Sequence, residues 1–260
     1  MFAQNRANRA GLSFLSVALN YGGASDMGEP NVILSSGSHL LELTFDAFRV
    51  AHRAAAATSE GLAISSDTLF GEVREREREL DSLDRDIDDL VTMTITQAAG
   101  EEARTLLACM KFGMSLERIG DLLRSFVNRA ESVAAQLEHD DIRELLMMTS
   151  RLERMLAEIE SAFRSRSLDK AVNVLRSDTE LDRLRNVITF RHLEPAEGVR
   201  RVGSFHVLFM AQEIERAGDH VKNMAEEVCH LISGRTMRHV LRAYDLPVEQ
   251  LFLEHMKHKT

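Results

Sequence analysis

One stretch of this chain occurs twice, and that repetition limits its architecture more than any other feature. The first copy, Leu116 to Glu131, reads LERIGDLLRSFVNRAE; the second, Ile214 to Val228, reads IERAGDHVKNMAEEV. Both contain Glu-Arg-x-Gly-Asp, which sets a Glu and an Asp four residues apart: Glu117 with Asp121, and Glu215 with Asp219. On a helix, residues at this spacing project from one face. The match extends beyond the motif. Cys109, Phe112, Leu116, Ile119, Leu123, Phe126, Ala130 and Val133 step by three and four, and at a constant offset of 98 they meet Val207, Met210, Ile214, Ala217, Val221, Met224, Val228 and Leu231. Every one of these positions is apolar, the pattern of a helix-bundle seam.

A second match lies upstream at an offset of 101. Glu79-Leu80-Asp81 with Leu83 and Ile87 corresponds to Glu180-Leu181-Asp182 with Leu184 and Ile188. It also carries acids four apart, Glu77 with Asp81 and Asp178 with Asp182. Near-equal offsets mean that a multi-helix unit is duplicated with a short insertion or deletion. The fold class is therefore read as all-α, two tandem three-helix bundles of six long helices. Their bounds are read as 36–137 and 138–234, with a flexible N-terminal arm over 1–35 and a tail over 235–260.

Composition agrees with this reading. The prolines are Pro30, Pro195 and Pro247, so no proline interrupts a helix between the first two. Trp is absent and aromatics make up 5% of the chain, which leaves Leu, Ile, Val and Met to fill the core. The helices are placed at Ser38–Ala57, Asp67–Gln97 and Glu101–Leu137, then two after the polar Glu138–Asp141 hinge, and a last long one at Ala196–Ile232. Thr58 to Gly61 and Ser165 to Ser167 are read as turns, and a weak final helix follows Pro247. A net charge of -9 argues against duplex nucleic acid. Cys109 and Cys229 sit in apolar helical patterns without Cys-x-x-Cys spacing and are read as buried thiols of a reducing compartment. No apolar run reaches the ~20 residues of a membrane span.

Among 41 acidic residues, a single Glu/Asp pair would mean only a solvated helix face. Here the pairs recur in both halves and directly follow seam residues, so they flank the packed face. Gly120 and Gly218 stand mid-helix beside them, at a cost of ~1 kcal/mol each against alanine. Close helix approach, or room for a ligand, would offset that cost. Clustered carboxylates repel and raise one another's pKa until a cation neutralises them, and oxygen ligands suit hard ions. Di-iron carboxylate enzymes need Glu-x-x-His on two helices; this chain offers only Glu227 with His230. His220 is weighed evenly between ligand and surface group, whereas His192, His206 and the tail histidines are read as surface groups.

With these residues in view, the chain resembles the PhoU family of phosphate-uptake regulators. The resemblance rests on LERIGD at Leu116–Asp121, on IERAGDHVKNMAEEV and on HLISGRTMRH at His230–His239, with Glu102-Ala103-Arg104 before the first motif; it spans about residues 38–239. It implies two similar three-helix bundles whose motifs bind metal clusters of iron or zinc type; the oxygen donors also admit manganese or magnesium. Carried over by position, the metal residues are Glu77, Asp81, Glu117, Asp121, Asp178, Asp182, Glu215, Asp219 and Asn223. The first copy departs from the motif, with Leu122 and Ser125 where the second has His220 and Asn223, so the second is read as the firmer site.

The resemblance implies regulation without catalysis: a cytoplasmic adaptor, a homodimer by expectation, that contacts a phosphate ABC transporter ATPase and a phosphate-sensing histidine kinase and meets the membrane only through them. Such an adaptor dampens uptake and starvation signalling. A metal-dependent carboxylate enzyme, or an accessory protein of another phosphate transporter, is the alternative.

Overall fold

The computed structural model describes residues 30–193 and 203–234, and side chains over 37–192 and 203–234. The described residues form six long helices and no strand: α1 Pro30–Ile64, α2 Asp67–Thr94, α3 Gly100–Val133, α4 His139–Ser165, α5 Leu168–Leu193 and α6 Ser204–Ser233. A short 3-10 turn, Ala134–Gln136, follows α3. α1, α2 and α3 pack on one another, as do α4, α5 and α6; α3 against α6 and α1 against α4 then join the two bundles. At 1.5 Å per residue, α3 is about 50 Å long.

Every seam position of both repeats is buried, from Cys109 to Val133 and from Val207 to Leu231. The apolar residues form one continuous core across both bundles. Phe48 of α1, Phe112 of α3 and Phe163 of α4 meet at its centre, with the Phe112 and Phe163 rings 4.8 Å apart and edge-on. The α3–α6 contact is antiparallel: Lys111 pairs with Glu227 at 2.8 Å near one end, and Arg129 with Glu213 at 2.9 Å near the other.

Helix boundaries follow local chemistry. Ser66 caps α2 by accepting from the Leu69 N–H, and Ser65 makes the turn with φ 52°. Gly234 ends α6 in the left-handed region, at φ 70°. Several sequence expectations are corrected. α1 runs through the expected Thr58–Gly61 turn, and the buried Thr58 hydroxyl is satisfied within the helix by donating to the Ala54 carbonyl at 2.8 Å. Gly61 leaves room there for the Phe70 ring. Residues 30–35, read as part of a flexible arm, belong to α1. α2 stops at Thr94 instead of Gln97, α3 at Val133 instead of Leu137, and α6 begins at Ser204. The rest of the N-terminal arm, the Glu194–Pro195 stop and the helix after Pro247 lie outside the described residues.

His192 is also corrected from surface to core. Its side chain is 1% exposed. Nε2 lies 2.9 Å from Asp141 Oδ1 and Nδ1 lies 2.9 Å from Ser204 Oγ. Arg191 donates to the same Asp141 and pairs with Glu144 at 2.9 Å. This clasp ties the start of α4 to the end of α5 and the start of α6. His206 is half-buried, with its Nδ1 enclosed. Cys109 and Cys229 are free and buried as expected, and burial pushes their thiols up to about 11 and about 12.

The two mid-helix glycines mark close approach. A Cβ on Gly120 would lie 2.8 Å from Leu80 Cδ1, and one on Gly218 would collide with Leu181 Cδ1. The acid-bearing helix of each repeat is thereby drawn against its upstream neighbour. Gly218→Val is expected to cost about 1–3 kcal/mol through overpacking, measurable by urea denaturation; an unchanged midpoint would remove close approach as the reason for this glycine.

Candidate acidic clusters between neighbouring helices

The clusters rest on two equivalent helix pairs. In the first repeat, Glu77 and Asp81 of α2 meet Glu117 and Asp121 of α3; in the second, Asp178 and Asp182 of α5 meet Glu215 and Asp219 of α6. The glycine contacts set the separation of each pair, and the i, i+4 spacing aligns the acids along its rim.

In the first cluster a third upstream acid, Asp84, adds to the sequence-derived set. Its carboxyl lies against the bare backbone of Gly113, where an added Cβ would stand 2.9 Å from Oδ1. Burial, then the charges of Asp88 and Asp81, push Asp84 above the usual carboxylate range. Burial pushes Glu117 up as well; Arg118 opposes this, while Asp121, Asp84 and Asp81 add to it. The counter-charges are arginines. Arg124 reaches Glu77 at 2.9 Å and Asp121 at 3.0 Å, Arg118 reaches Glu117 and Asp121 at 3.4 Å each, and Arg85 reaches Asp81 at 3.1 Å.

In the second cluster Lys222, the positional counterpart of Arg124, donates to Asp178. Asp178 is buried, and burial raises its carboxyl although Lys222 acts against the rise. Lys222 itself moves up, since its acidic neighbours outweigh its own burial. Burial likewise raises Glu215, with Arg185 opposing and Asp219 and Asp182 reinforcing. Arg185 lies 3.3 Å from Asp182 and 3.6 Å from Glu215. Gln212 donates to the other Glu215 oxygen.

Asn223 and His220 line a groove of about 420 Å³ between α3 and α6, with Lys111, Ser115, Arg118 and Glu227. Burial, helped by Arg216, lowers the pKa of His220. The sequence reading missed Arg124, Lys222, Asp84 and Arg185. The same offsets that aligned the acids would have found them: Arg124 stands against Lys222 at 98, and Asp84 against Arg185 at 101.

The donor chemistry of the first cluster, five carboxylates from two helices against three arginines, fits a hard cation. Among the described residues, however, no three His, Cys, Asp or Glu side chains already converge as a metal-holding group; the carboxylates are turned toward arginines. The second cluster offers the same donor type, and in each cluster a guanidinium spans the helix pair, Arg124 in the first and Arg185 in the second.

The raised carboxyls make stability depend on pH. A carboxyl with a higher pKa in the folded state binds protons more tightly there than when unfolded. Stability is therefore greatest below the unfolded value and falls as pH rises through the raised folded value. In chelator, Glu117→Gln is expected to flatten the decline that begins near the usual Glu value of 4.5. Thermal melts across pH 4 to 8 would check this; parallel curves for variant and parent would refute it.

Comparison with known proteins agrees with the geometry. The PhoU domain model matches residues 46–130 and 145–228, one segment in each bundle. The phosphate-specific transport system accessory protein PhoU homolog of Zymomonas mobilis is 28% identical over 195 residues, covering 73% of this chain and 82% of that protein. The Pseudomonas aeruginosa homolog of the same description is 28% identical over 180 residues, covering 66% of this chain and 73% of that protein. The crystal structure of PhoU from Pseudomonas aeruginosa superposes with a TM-score of 0.72 at 22% identity, covering 77% of this chain and 99% of that one. The PhoU structure from Streptococcus pneumoniae gives a TM-score of 0.70 at 16% identity, covering 78% and 98%. With both repeats matched and the same six-helix fold, the chain belongs to the PhoU family.

Proposed function

We propose that this protein is a regulatory accessory component of a phosphate-specific transport system. It restrains uptake and starvation signalling by docking on the transporter's ATPase and on a phosphate-sensing histidine kinase. The observation that carries this reading is the duplication: both bundles match the same family model, and acidic pairs stand at equivalent places in each. The relatives named above as phosphate-transport accessory proteins support the transport role. In the described residues no helix is long and apolar enough to cross a membrane, which fits a protein that reaches a transporter by docking. The conclusion is regulation without catalysis.

We further propose that Asp81, Asp84, Glu117 and Asp121 take up a metal ion of the iron, zinc, manganese or magnesium type. A bound cation would cancel charge that the helix pair leaves in excess. The chain's own residues supply the oxygen donors, and Arg118, 63% exposed, is free to swing into water as an ion enters.

Deletion of the gene is the test of the regulatory reading. Phosphate-starvation genes are expected to be expressed in phosphate-replete cells, with the transporter ATPase and the kinase recovered on the tagged protein. Unchanged expression together with no recovery of either partner would overturn it.

A further inference from the structure

We propose that two copies of this chain associate through the face made by α2, α1, α4 and α5, the acidic corner of each lying on the arginine-rimmed apolar corner of the other. The duplication makes the two corners comparable. At an offset of 101 the buried positions of α1 and α4 coincide, Ala47, Ala51, Ala54 and Thr58 with Met148, Leu152, Met155 and Ile159. α2 and α5 share that offset. The outward residues can therefore be matched one by one, and at one end of each helix pair they change character. Glu42, Asp46, Asp86 and Asp89 of the first bundle stand against Arg143, Met147, Val187 and Phe190 of the second, and Ser82 stands against Arg183.

Both corners lie on one side of the molecule. α1 packs on α4, α2 packs on α1, and α5 packs on α4. Arg143, Met147, Arg154, Ala157 and Arg164 form a single stripe of α4. Its first three residues line the groove against α5, and its last two line the groove against α1 beside Arg49 and Arg53. Glu42 and Asp46 continue that α1 stripe at helical spacing.

The second corner is apolar at its centre. Met147 is 51% exposed, Val187 46% and Phe190 65%, and such a grouping of large apolar side chains marks a contact surface. On the first corner Leu41, Leu83 and Leu90 are half-buried between the acids and offer a floor for them. The charges around each corner are available. Arg143 pairs with Asp140 of its own helix at 3.1 Å, both well exposed, so a facing carboxylate replaces that pair at little cost. Among the described residues no ion pair involves Arg183, Asp86 or Asp89. Elsewhere the halves agree or are already paired: Arg53 matches Arg154, Asp46 holds Arg49, and Asp81 holds Arg85.

This pattern selects a second copy as the occupant. An arginine corner set on its own twin repels, whereas on the acidic corner it is attracted. A twofold axis in the plane of the face, oblique to the helices, sets both corners on their opposites at once, and such a closed contact stops at two copies.

The test is sedimentation velocity of the full chain over a concentration series, at low and high salt. A dimer that dissociates as salt rises is expected. Arg143→Glu/Arg183→Glu and Asp86→Arg/Asp89→Arg are each expected to raise the dissociation constant at least about tenfold. An equimolar mixture of the two is expected to recover the dimer, because every reversed corner then meets an opposite one. Circular dichroism checks the fold. Should a reversal lose helicity, Phe190→Ser, at an exposed position, is expected to weaken the dimer without any change of charge.

A parent that stays monomeric at its highest soluble concentration would overturn the proposal. So would a dimer that none of these variants weakens, or a mixture of the two reversals that stays monomeric. A monomeric parent whose Arg143→Glu/Arg183→Glu variant no longer recovers the transporter ATPase or the kinase would assign the arginine corner to that partner instead.

Discussion

Asp141→Ala is expected to destabilise the protein by about 3–5 kcal/mol, the usual loss when one member of a buried ionic network is removed. In a chain of this size that is a fall of roughly 10 °C in melting temperature. The side chain of Asp141 is 4% exposed and is shared by His192 and Arg191, which are 1% and 19% exposed. Removing the carboxylate leaves the imidazole without its Nε2 partner and takes one acid from Arg191. Three helix ends meet here, so the loss is not local to one turn. Urea denaturation of Asp141→Ala beside His192→Ala and the double variant would measure the coupling. Additive effects, or a cost under about 1 kcal/mol, would show that the clasp does not hold these ends together.

Phe112→Ala is the second large effect, expected at about 3–5 kcal/mol. Phe112 is fully buried, 4.8 Å from the Phe163 ring and 5.8 Å from that of Phe48. The packing around it comes from α1 and α4 as well as α3, so collapse into the space would require helices of both bundles to shift together. The expected signature is a lower midpoint with a single transition, because neither bundle keeps a complete core of its own. Two separated transitions would mean that the bundles fold independently. Phe112→Leu should retain most of the stability and serves as the control for volume.

Much of this could be read from the sequence because the duplication provides an internal comparison. Seam residues such as Leu116 and Ile214 repeat at helical spacing, and every seam position proved buried. Ser66 and Gly234 mark helix ends by side-chain capping and left-handed backbone, both visible locally. The misreadings came where distant partners decide. Thr58-Ser59-Glu60-Gly61 has the composition of a turn, yet Phe70 of the next helix fits against Gly61 and the helix continues. His192 stands beside Arg191 and looks solvated, but its partner Asp141 is far away in sequence. At the acidic clusters the carboxylates were found by spacing, whereas their counter-ions were not. Arginines are common on helix surfaces, and only the folded pairing shows that Arg185 bridges two of the acids.

The two bundles share one core, and this constrains how the protein could signal. A hinge needs a boundary that few side chains cross, and here the Phe48, Phe112 and Phe163 rings fill that place. If the proposed ion binds at a cluster, it would therefore have no loose joint to swing, and would change the electrostatic potential along a surface anchored on the shared core. A partner docking there would sense a difference in charge pattern on an unmoved scaffold, and salt concentration would tune that sensing more strongly than any change in helix geometry.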